Sequence, residues 1–390
     1  MSEIKFGTDG WRAIIAEQFT FDNVRLVSQA IADYIKAANM EKAGIVIGYD
    51  NRFLSEEFAA AAAEVMAGNW IKVYLTPYAV PTPVVAYTVT MKETAGAVML
   101  TASHNPPYYH GIKFIPHYAG PAMPEITNKI MENVKRLQEN GDIKIEKAEE
   151  AEKTGLIQYV QPQNNYLYHL QKLLDTEAIK KSGLKVVVDP MHGAGIGYLE
   201  KFLISLGLEV VTINANRDAF FGGLLPDPSE DNLASLKFKI REHEADLGFA
   251  LDGDADRLGV IDNRGNYLSP NQILFMLLRH LIKTRKWQGL VARTVATTHM
   301  LDLIAQEHKV VVEETPVGFK YIGDLMLRKG AFLGGEESGG LSIRGHVPEK
   351  DGILGCLLFL EMIAVEGKSP MDIMEDIFKT YGRLVSRRLD

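Results

Sequence analysis

Three aspartates alternate with small residues in the string Asp252-Gly253-Asp254-Ala255-Asp256. Carboxylates this close repel one another unless a cation lies between them, and hard oxygen ligands of this kind suit Mg²⁺. Apolar runs at 247–251 and 258–261 predict short buried strands on either side, so the triplet forms a tight loop. The spacing of two lets the three side chains converge on one side of a nearly extended backbone. A solvated acidic turn is the simpler alternative, but such turns rarely lie between two apolar strands.

A calcium-binding helix–loop–helix site is the main competitor for this string. Counting from Asp252, that loop needs glycine at position six and glutamate at position twelve. The sequence has Arg257 and Asn263 there, and strands rather than helices flank the loop. Because Mg²⁺ usually retains positions for water or phosphate oxygens, the loop predicts a phosphate-bearing partner as well as a metal.

A serine stands at the end of a second apolar run. Residues 97–100 predict a buried strand that leads into Thr101-Ala102-Ser103-His104-Asn105-Pro106-Pro107. Asn-Pro-Pro imposes a turn and excludes a helix, and a serine on such a turn suits a nucleophile or a phosphate carrier. The glycine-flanked elbow of serine hydrolases is missing. From this loop alone, an ordinary turn with an unused serine is somewhat favoured.

Three further residues are candidates for catalysis around Ser103. Lys113 could deprotonate the serine or stabilise phosphate charge. His104 is included for its adjacency, although on an extended backbone its side chain would point away from Ser103. Arg12 ends the string Phe6-Gly7-Thr8-Asp9-Gly10-Trp11-Arg12 and could reach a phosphate, with a capped turn as the alternative.

A glycine-rich string, Gly334-Gly335-Glu336-Glu337-Ser338-Gly339-Gly340, follows the apolar run 331–333. Glycines let a backbone approach a ligand closely, and the alternating Glu336 and Ser338 could both face sugar hydroxyls. An acidic surface loop is the alternative. Neighbouring loops add three more candidate substrate-binding residues: Lys320, His346 and Lys350.

Strand–helix–strand patterns restart three times, near residues 43, 185 and 289, and they include an alanine-rich helix at 56–68 and a strand at 185–189. Short connections between them predict α/β domains with mixed, largely parallel sheets. A glycine run at 192–197 lacks the spacing of a dinucleotide-binding fingerprint. Close packing of helix on strand explains that run.

Bulk composition narrows the function classes. A chain of 390 residues predicts two to four domains, and 46% hydrophobic with 24% charged residues is typical of a globular protein. With 42 basic and 50 acidic residues the net charge is −8, which argues against nucleic acid as a partner. Cys356 has no second cysteine for an internal disulfide. We expect no membrane partner and a cytoplasmic location, because neither a signal peptide nor a membrane-length apolar stretch is evident.

In combination, four strings resemble the α-D-phosphohexomutase superfamily and occur in that family's order: 6–12, 101–106 with 111–113, 252–257 and 335–340. The resemblance implies four α/β domains around a central cleft. It also implies that Ser103 carries a phosphate and that Mg²⁺ is bound by this phosphoserine together with Asp252, Asp254 and Asp256.

The same resemblance assigns further roles. Arg12 and Lys113 would lie beside the phosphoserine, Arg257 would support the metal loop, and Glu336 and Ser338 would bind sugar hydroxyls. The implied reaction transfers the serine phosphate to a sugar phosphate, giving glucose 1,6-bisphosphate as intermediate and activator. That bisphosphate then returns its other phosphate to the serine.

Substrate choice rests on the string 336–340, which is similar to the glucose-type phosphoglucomutases. Members that accept mannose as well, and the glucosamine mutases, tend to have histidine where this chain has Gly340. We therefore expect glucose 1-phosphate and glucose 6-phosphate as substrates. Phosphomannomutase, phosphopentomutase and a non-catalytic sugar-phosphate or metal-binding protein are the alternatives.

Two departures from the family pattern accompany this interpretation. His110 occupies a position that is usually asparagine, and the Arg-x-Ser-Gly-Thr-Glu-Pro phosphate loop of the fourth domain does not occur in the sequence. We expect three domains at 1–152, 153–255 and 256–372, with 373–390 as the start of a fourth that is otherwise absent. Loss of its phosphate-binding loop would raise KM.

Overall fold

The computed structural model describes residues 4–7 and 9–384. Thr8 of the predicted phosphate-binding string and residues 385–390 of the predicted fourth-domain start lie outside the described residues. Within those ranges the chain forms three α/β domains, each built on its own sheet, which confirms the predicted fold class. The predicted strand at 185–189 is found at Lys185–Asp189, and the predicted helix at 56–68 is found at Ser55–Gly68.

The first domain comprises β1 (Trp11–Ile14), α1 (Phe21–Ala37), β2 (Ile45–Tyr49), α2 (Ser55–Gly68), β3 (Val73–Leu75), α3 (Thr82–Lys92), β4 (Gly96–Leu100), β5 (Tyr109–Pro116), α4 (Pro124–Asn140), α5 (Ala148–Lys153) and β6 (Ile157–Tyr159). Its sheet has the order β1-β5-β4-β2-β3-β6. Strands β4, β2, β3 and β6 pair in parallel, and β5 pairs antiparallel with β4 and β1. The predicted domain end at residue 152 precedes β6, so this sheet continues beyond it.

The second domain comprises α6 (Gln163–Leu173), α7 (Thr176–Lys181), β7 (Lys185–Asp189), α8 (Leu199–Ser205), β8 (Glu209–Thr212), α9 (Ala234–Glu242), β9 (Leu247–Leu251), β10 (Leu258–Asp262) and β11 (Tyr267–Leu268). Its sheet has the order β11-β10-β9-β7-β8. The predicted boundary between residues 255 and 256 falls inside the antiparallel hairpin of β9 and β10. Because hairpin pairing keeps both strands in one sheet, the aspartate loop lies within the second domain.

The third domain comprises α10 (Pro270–Arg285), β12 (Leu290–Thr294), α11 (Met300–Glu307), β13 (Val311–Thr315), α12 (Phe319–Lys329), β14 (Leu333–Gly335), β15 (Leu341–Ile343), α13 (Gly352–Glu366) and α14 (Pro370–Tyr381). Its sheet has the order β13-β12-β14-β15. The predicted boundary between residues 372 and 373 falls inside α14. This helix starts at the N-cap Ser369 and packs on α10 and α11, so the third domain extends through it.

The domains share buried apolar surface. One cluster of buried side chains runs from the first domain through the second into the third. Helix α13 is apolar on all sides and buried for most of its length, and it contacts α7 and β10 of the second domain as well as β15 of its own. Among the described residues, no helix combines the length and apolarity that crossing a bilayer requires.

Candidate active site

The serine loop connects β4 to β5, and its backbone turns sharply at Ser103. Ser103 has a φ of +51°, and its amide donates to Thr101 Oγ1 at 2.8 Å. The left-handed turn directs Ser103 Oγ towards the second domain, where it donates to Asp252 Oδ2 at 2.9 Å. It also brings His104 Nδ1 to 3.4 Å from Ser103 Oγ. The expectation that His104 points away assumed an extended backbone and is wrong for that reason.

The aspartate loop is fully buried. Asp252, Asp254 and Asp256 each offer a carboxylate oxygen within 4.8 Å of the others. The amides of Asp256 and Arg257 donate to Asp252 Oδ1 at 2.9 and 3.1 Å, and Thr82 of the first domain donates to Asp254 Oδ2 at 2.6 Å. Burial and the two neighbouring carboxylates raise the pKa of Asp252 well above its usual range. The loop therefore gathers more negative charge than a buried site tolerates alone.

The donor set fits a hard divalent cation. Asp254 Oδ1 and Asp256 Oδ1 are buried and find no hydrogen-bond partner among the described residues. Buried carboxylate oxygens without donors are costly, and Mg²⁺ takes oxygen ligands of this kind. Ser103 Oγ adjoins the same cluster through Asp252, so the predicted metal ligands are brought together.

Two buried lysines offset part of this charge. Lys113 Nζ lies 2.9 Å from Asp9 Oδ2, 3.0 Å from Asp254 Oδ2 and 3.4 Å from Asp256 Oδ2. Lys350 Nζ lies 3.0 Å from Asp256 Oδ2. Burial opposes the charged form of Lys113, but these carboxylates outweigh it and raise its pKa well above the ordinary value. Of the two roles predicted for Lys113, this environment favours charge stabilisation over deprotonation of the serine.

Asp9 is a site residue that the sequence analysis missed. Its carboxylate contacts Lys113, and Lys350 Nζ lies at 3.5 Å. Burial would raise the pKa of Asp9, but Lys113, Lys350 and Arg12 lower it well below the usual range. Its position three residues before Arg12 is the signal that could have identified it, because buried cations require counter-charges.

A cleft of about 530 Å³ opens above these buried groups. Its walls contain predicted residues from all three domains: Arg12, His104, Arg257, Lys320, Glu336, Ser338 and Lys350. Arg12 Nη1 donates to Asn105 Oδ1 at 2.6 Å, which holds it against the serine loop. Burial and the cations of Arg257 and Arg12 lower the pKa of His104 to about 3, so its imidazole is neutral at pH 7.

Residues of the glycine-rich string 334–340 form the part of the cleft wall that belongs to the third domain. Glu336 accepts from the Gly318 amide at 3.1 Å and from Ser338 Oγ at 3.3 Å. Burial raises the pKa of Glu336 above its ordinary value. Glu337 accepts from Thr294 Oγ1 at 2.6 Å, and Glu336, Glu337 and Ser338 all line the cleft.

The structure contradicts the prediction that His346 binds substrate. The His346 side chain is buried, with Nε2 at 2.8 Å from Asp351 Oδ2 and Nδ1 at 3.0 Å from His169 Nε2. The turn that brings Lys350 into the cleft therefore sends His346 into the contact between the second and third domains. There it supports Asp351, the N-cap of α13.

Comparisons with known proteins agree with this architecture. The phosphoglucomutase/phosphomannomutase models for alpha/beta/alpha domains I, II and III match residues 3–141, 164–265 and 269–381. A phosphoglucomutase/phosphomannomutase of Thermococcus kodakarensis is 30% identical, covering 99% of this chain and 82% of its own. Phosphoglucomutase-1 of Homo sapiens is 31% identical, covering 93% and 69%. A crystal structure assigned as a phosphomannomutase from Thermus thermophilus superposes with a TM-score of 0.89 at 34% identity, covering 98% and 84%.

Proposed function

Because the chain belongs to the phosphoglucomutase/phosphomannomutase family, we propose that it interconverts glucose 1-phosphate and glucose 6-phosphate. Ser103 carries the phosphoryl group, and glucose 1,6-bisphosphate is the intermediate. The observation that carries the proposal is the 2.9 Å hydrogen bond from Ser103 Oγ to Asp252 Oδ2. It joins a nucleophile of one domain to the cation-binding loop of another at the base of a sugar-sized cleft.

The reaction consists of two transfers that balance one another. In the first, a sugar hydroxyl oxygen bonds to phosphorus while the bond from phosphorus to Ser103 Oγ breaks. The hydroxyl proton ends on Ser103 Oγ, and the neutral His104 imidazole lies within reach to carry it. In the second, the bisphosphate has turned in the cleft and Ser103 Oγ bonds to the phosphorus of its other phosphate. The bond from that phosphorus to the sugar oxygen breaks, and the Ser103 proton moves to this oxygen. The net change is isomerisation.

Positioning and charge neutralisation account for most of the catalysis in such a transfer. Lys113 and Lys350 offset the phosphoryl charge from below, and Arg12 and Arg257 do so from the walls of the cleft. Mg²⁺ bound by the Ser103 phosphate and the three aspartates would supply the positive charge that polarises the phosphoryl oxygens. Removing one such charge stabiliser typically costs on the order of 10²–10³ in rate.

Gly340 supports glucose as the preferred sugar, because the resemblance places histidine at this position in members that accept mannose. A Cβ added at Gly340 would lie 2.4 Å from Lys350 Cδ and 2.6 Å from Lys350 Cγ. The stem of Lys350 therefore fills the space that a histidine at this position would need. The similar proteins include both phosphoglucomutases and phosphomannomutases, so mannose 1-phosphate is the near alternative.

A coupled assay for glucose 6-phosphate tests the proposal. The chain should convert glucose 1-phosphate only with Mg²⁺ present, faster with added glucose 1,6-bisphosphate, and with a higher kcat/KM than for mannose 1-phosphate. Mass spectrometry of the intact protein should show a phosphate adduct of about 80 Da on Ser103, as a covalent carrier requires. Inorganic phosphate as the main product would indicate a sugar phosphatase instead. A chain that never carries phosphate on Ser103 would refute the mutase proposal.

A further inference from the structure

A fully buried arginine lies directly behind the serine loop. Arg52 follows β2 and is 0% exposed. Its Nη2 donates at 2.6 and 2.7 Å and its Nη1 at 2.8 and 3.0 Å to four backbone carbonyls, three in that loop and one at the start of β5. The four carbonyls belong to Ser103, Asn105, Pro106 and Tyr109. One guanidinium therefore holds the main chain at both ends of the turn that carries the nucleophile.

The remaining nitrogen of the Arg52 guanidinium faces a buried carboxylate. Arg52 Nε lies 3.2 Å from Asp50 Oδ2, at ion-pair distance, and both side chains are 0% exposed. Asp50 also accepts from Thr101 Oγ1 at 2.6 Å, whose oxygen in turn accepts from the Ser103 amide. The guanidinium thus makes four hydrogen bonds and one ion pair, and only arginine offers its donors in this fixed fork.

Asn51, which lies between Asp50 and Arg52 in the sequence, contacts the second domain. Asn51 Nδ2 donates to the carbonyls of His192 and Gly193 at 2.9 and 2.8 Å. The next residue of that turn, Ala194, donates its amide to Gly253 O at 2.9 Å. Gly253 lies in the aspartate loop, where an added Cβ would stand 2.6 Å from Ser103 O. Residues 50–52 therefore contact the serine loop directly and the aspartate loop through one turn.

We propose that Arg52 is a positioning residue that sets the left-handed turn of Ser103, and that Asn51 keeps this turn in register with the aspartate loop. The consequence for the reaction rests on the proposed function, because it assumes that Ser103 Oγ and the aspartate loop act together. A side chain that touches no substrate thereby controls the alignment of the phosphoryl carrier. Misplacement by about 1 Å costs roughly 10²-fold in rate.

Hydrogen–deuterium exchange and kinetics of three variants test this inference. Arg52→Lys keeps the charge but supplies at most three donors. Asp50→Asn combined with Arg52→Met removes the buried ion pair as a unit, so that no unpaired charge prevents folding. Ile31→Ala, in the buried face of α1, is the control that destabilises the first domain without removing a hydrogen bond to the loop. Exchange and kinetics of each protein are measured at the same interval below its own melting temperature.

We expect faster amide exchange in residues 101–110 for both Arg52 variants and unchanged exchange there for Ile31→Ala. We expect kcat to fall about 10- to 100-fold in Arg52→Lys and about 10²- to 10³-fold in the double variant, while KM changes less than about threefold. Unchanged exchange in 101–110, or equally increased exchange in Ile31→Ala, would overturn the positioning role. So would a normal kcat in the double variant. A wild-type chain without turnover would count against the proposed function alone, because the exchange measurement does not depend on activity.

Discussion

Lys113 of the first domain forms a 3.0 Å ion pair with Asp254 of the second, inside the cluster of predicted metal ligands. The ammonium group contacts Oδ2 of Asp254 and of Asp256, whereas Oδ1 of each carboxylate is buried without a hydrogen-bond partner among the described residues. A divalent cation held at these carboxylates would offset the same negative charge as Lys113. We therefore expect the stability of the metal-free protein to depend on the lysine.

Lys113→Met should make the metal-free protein less stable and more responsive to Mg²⁺. Breaking a buried ion pair from one side costs about 3–5 kcal/mol, and the uncompensated aspartates should then bind the cation more tightly. Melting temperature measured with and without Mg²⁺ should show a larger stabilisation in the variant than in the wild type. Lys153→Met removes an exposed lysine of the same domain and should leave the wild-type shift. Equal shifts in wild type and Lys113→Met would contradict the shared role.

Ser103→Ala should abolish isomerisation while leaving the fold intact. The hydroxyl is small, and its removal frees Asp252 Oδ2 from one hydrogen bond. Incubation with glucose 1,6-bisphosphate, followed by intact mass measurement, should show the phosphate adduct in the wild type and none in the variant. Ser205→Ala, on an exposed position of α8, should be phosphorylated like the wild type. Normal turnover in Ser103→Ala would end the carrier assignment.

Gly340→His should impair glucose turnover more than it impairs folding. The new side chain must displace the stem of Lys350, because a Cβ at residue 340 already lies 2.4 Å from Lys350 Cδ. Lys350 would then lose its contact with Asp256, and kcat should drop by about 10²-fold, the typical effect of removing a charge stabiliser. The coupled assay with both glucose and mannose 1-phosphates measures this. Gly330→Ala, at a helix end with a φ of +66° and open space around its Cβ position, strains the backbone without displacing Lys350 and should leave kcat unchanged. Unchanged kcat in Gly340→His would show that Lys350 tolerates displacement.

Local periodicity and composition were sufficient to predict the elements of the fold. Apolar β-branched runs located strands such as Lys185–Asp189 and Gly96–Leu100 to within a residue. Domain limits were harder. Strand β6 pairs with β3, which is distant in sequence, and a boundary drawn at the aspartate loop divides the hairpin of β9 and β10. Hydrogen bonds between strands determine where a sheet ends, and a local sequence pattern does not contain this information.

The site was predictable where its residues stand in short strings and less so elsewhere. The aspartate triplet was identified by residue type and spacing. Ser103 was assigned only when its string was read together with the other three, because its loop alone favoured an unused serine. Arg52 and Asp9 escaped because single charged residues in turns are usually exposed, and only tertiary packing buries them. His346 was misplaced because a turn of a few residues decides which side chain faces the cleft.

The unusual His110 should make the protein more sensitive to acid. His110 is buried, stacks on Phe19 with ring centroids 4.7 Å apart and bonds to Ser55 Oγ at 2.8 Å. Burial and the Arg52 cation lower its pKa from 6.5 to about 3. Between these values the unfolded chain binds a proton that the folded chain does not, so the free energy of unfolding falls as pH drops below about 6.5. The loss amounts to roughly 1.4 kcal/mol per pH unit.

His110→Asn should remove that contribution. Its free energy of unfolding, measured by urea denaturation at pH values between 4 and 7, should fall less steeply with decreasing pH than that of the wild type. The comparison uses the slope of the free energy of unfolding against pH, because the substitution also changes packing against Phe19 at every pH. His117→Asn replaces an exposed histidine of the same domain and should leave the wild-type slope. If the slopes of His110→Asn and the wild type coincide, His110 is protonated in the folded protein, and its burial does not exclude the charge.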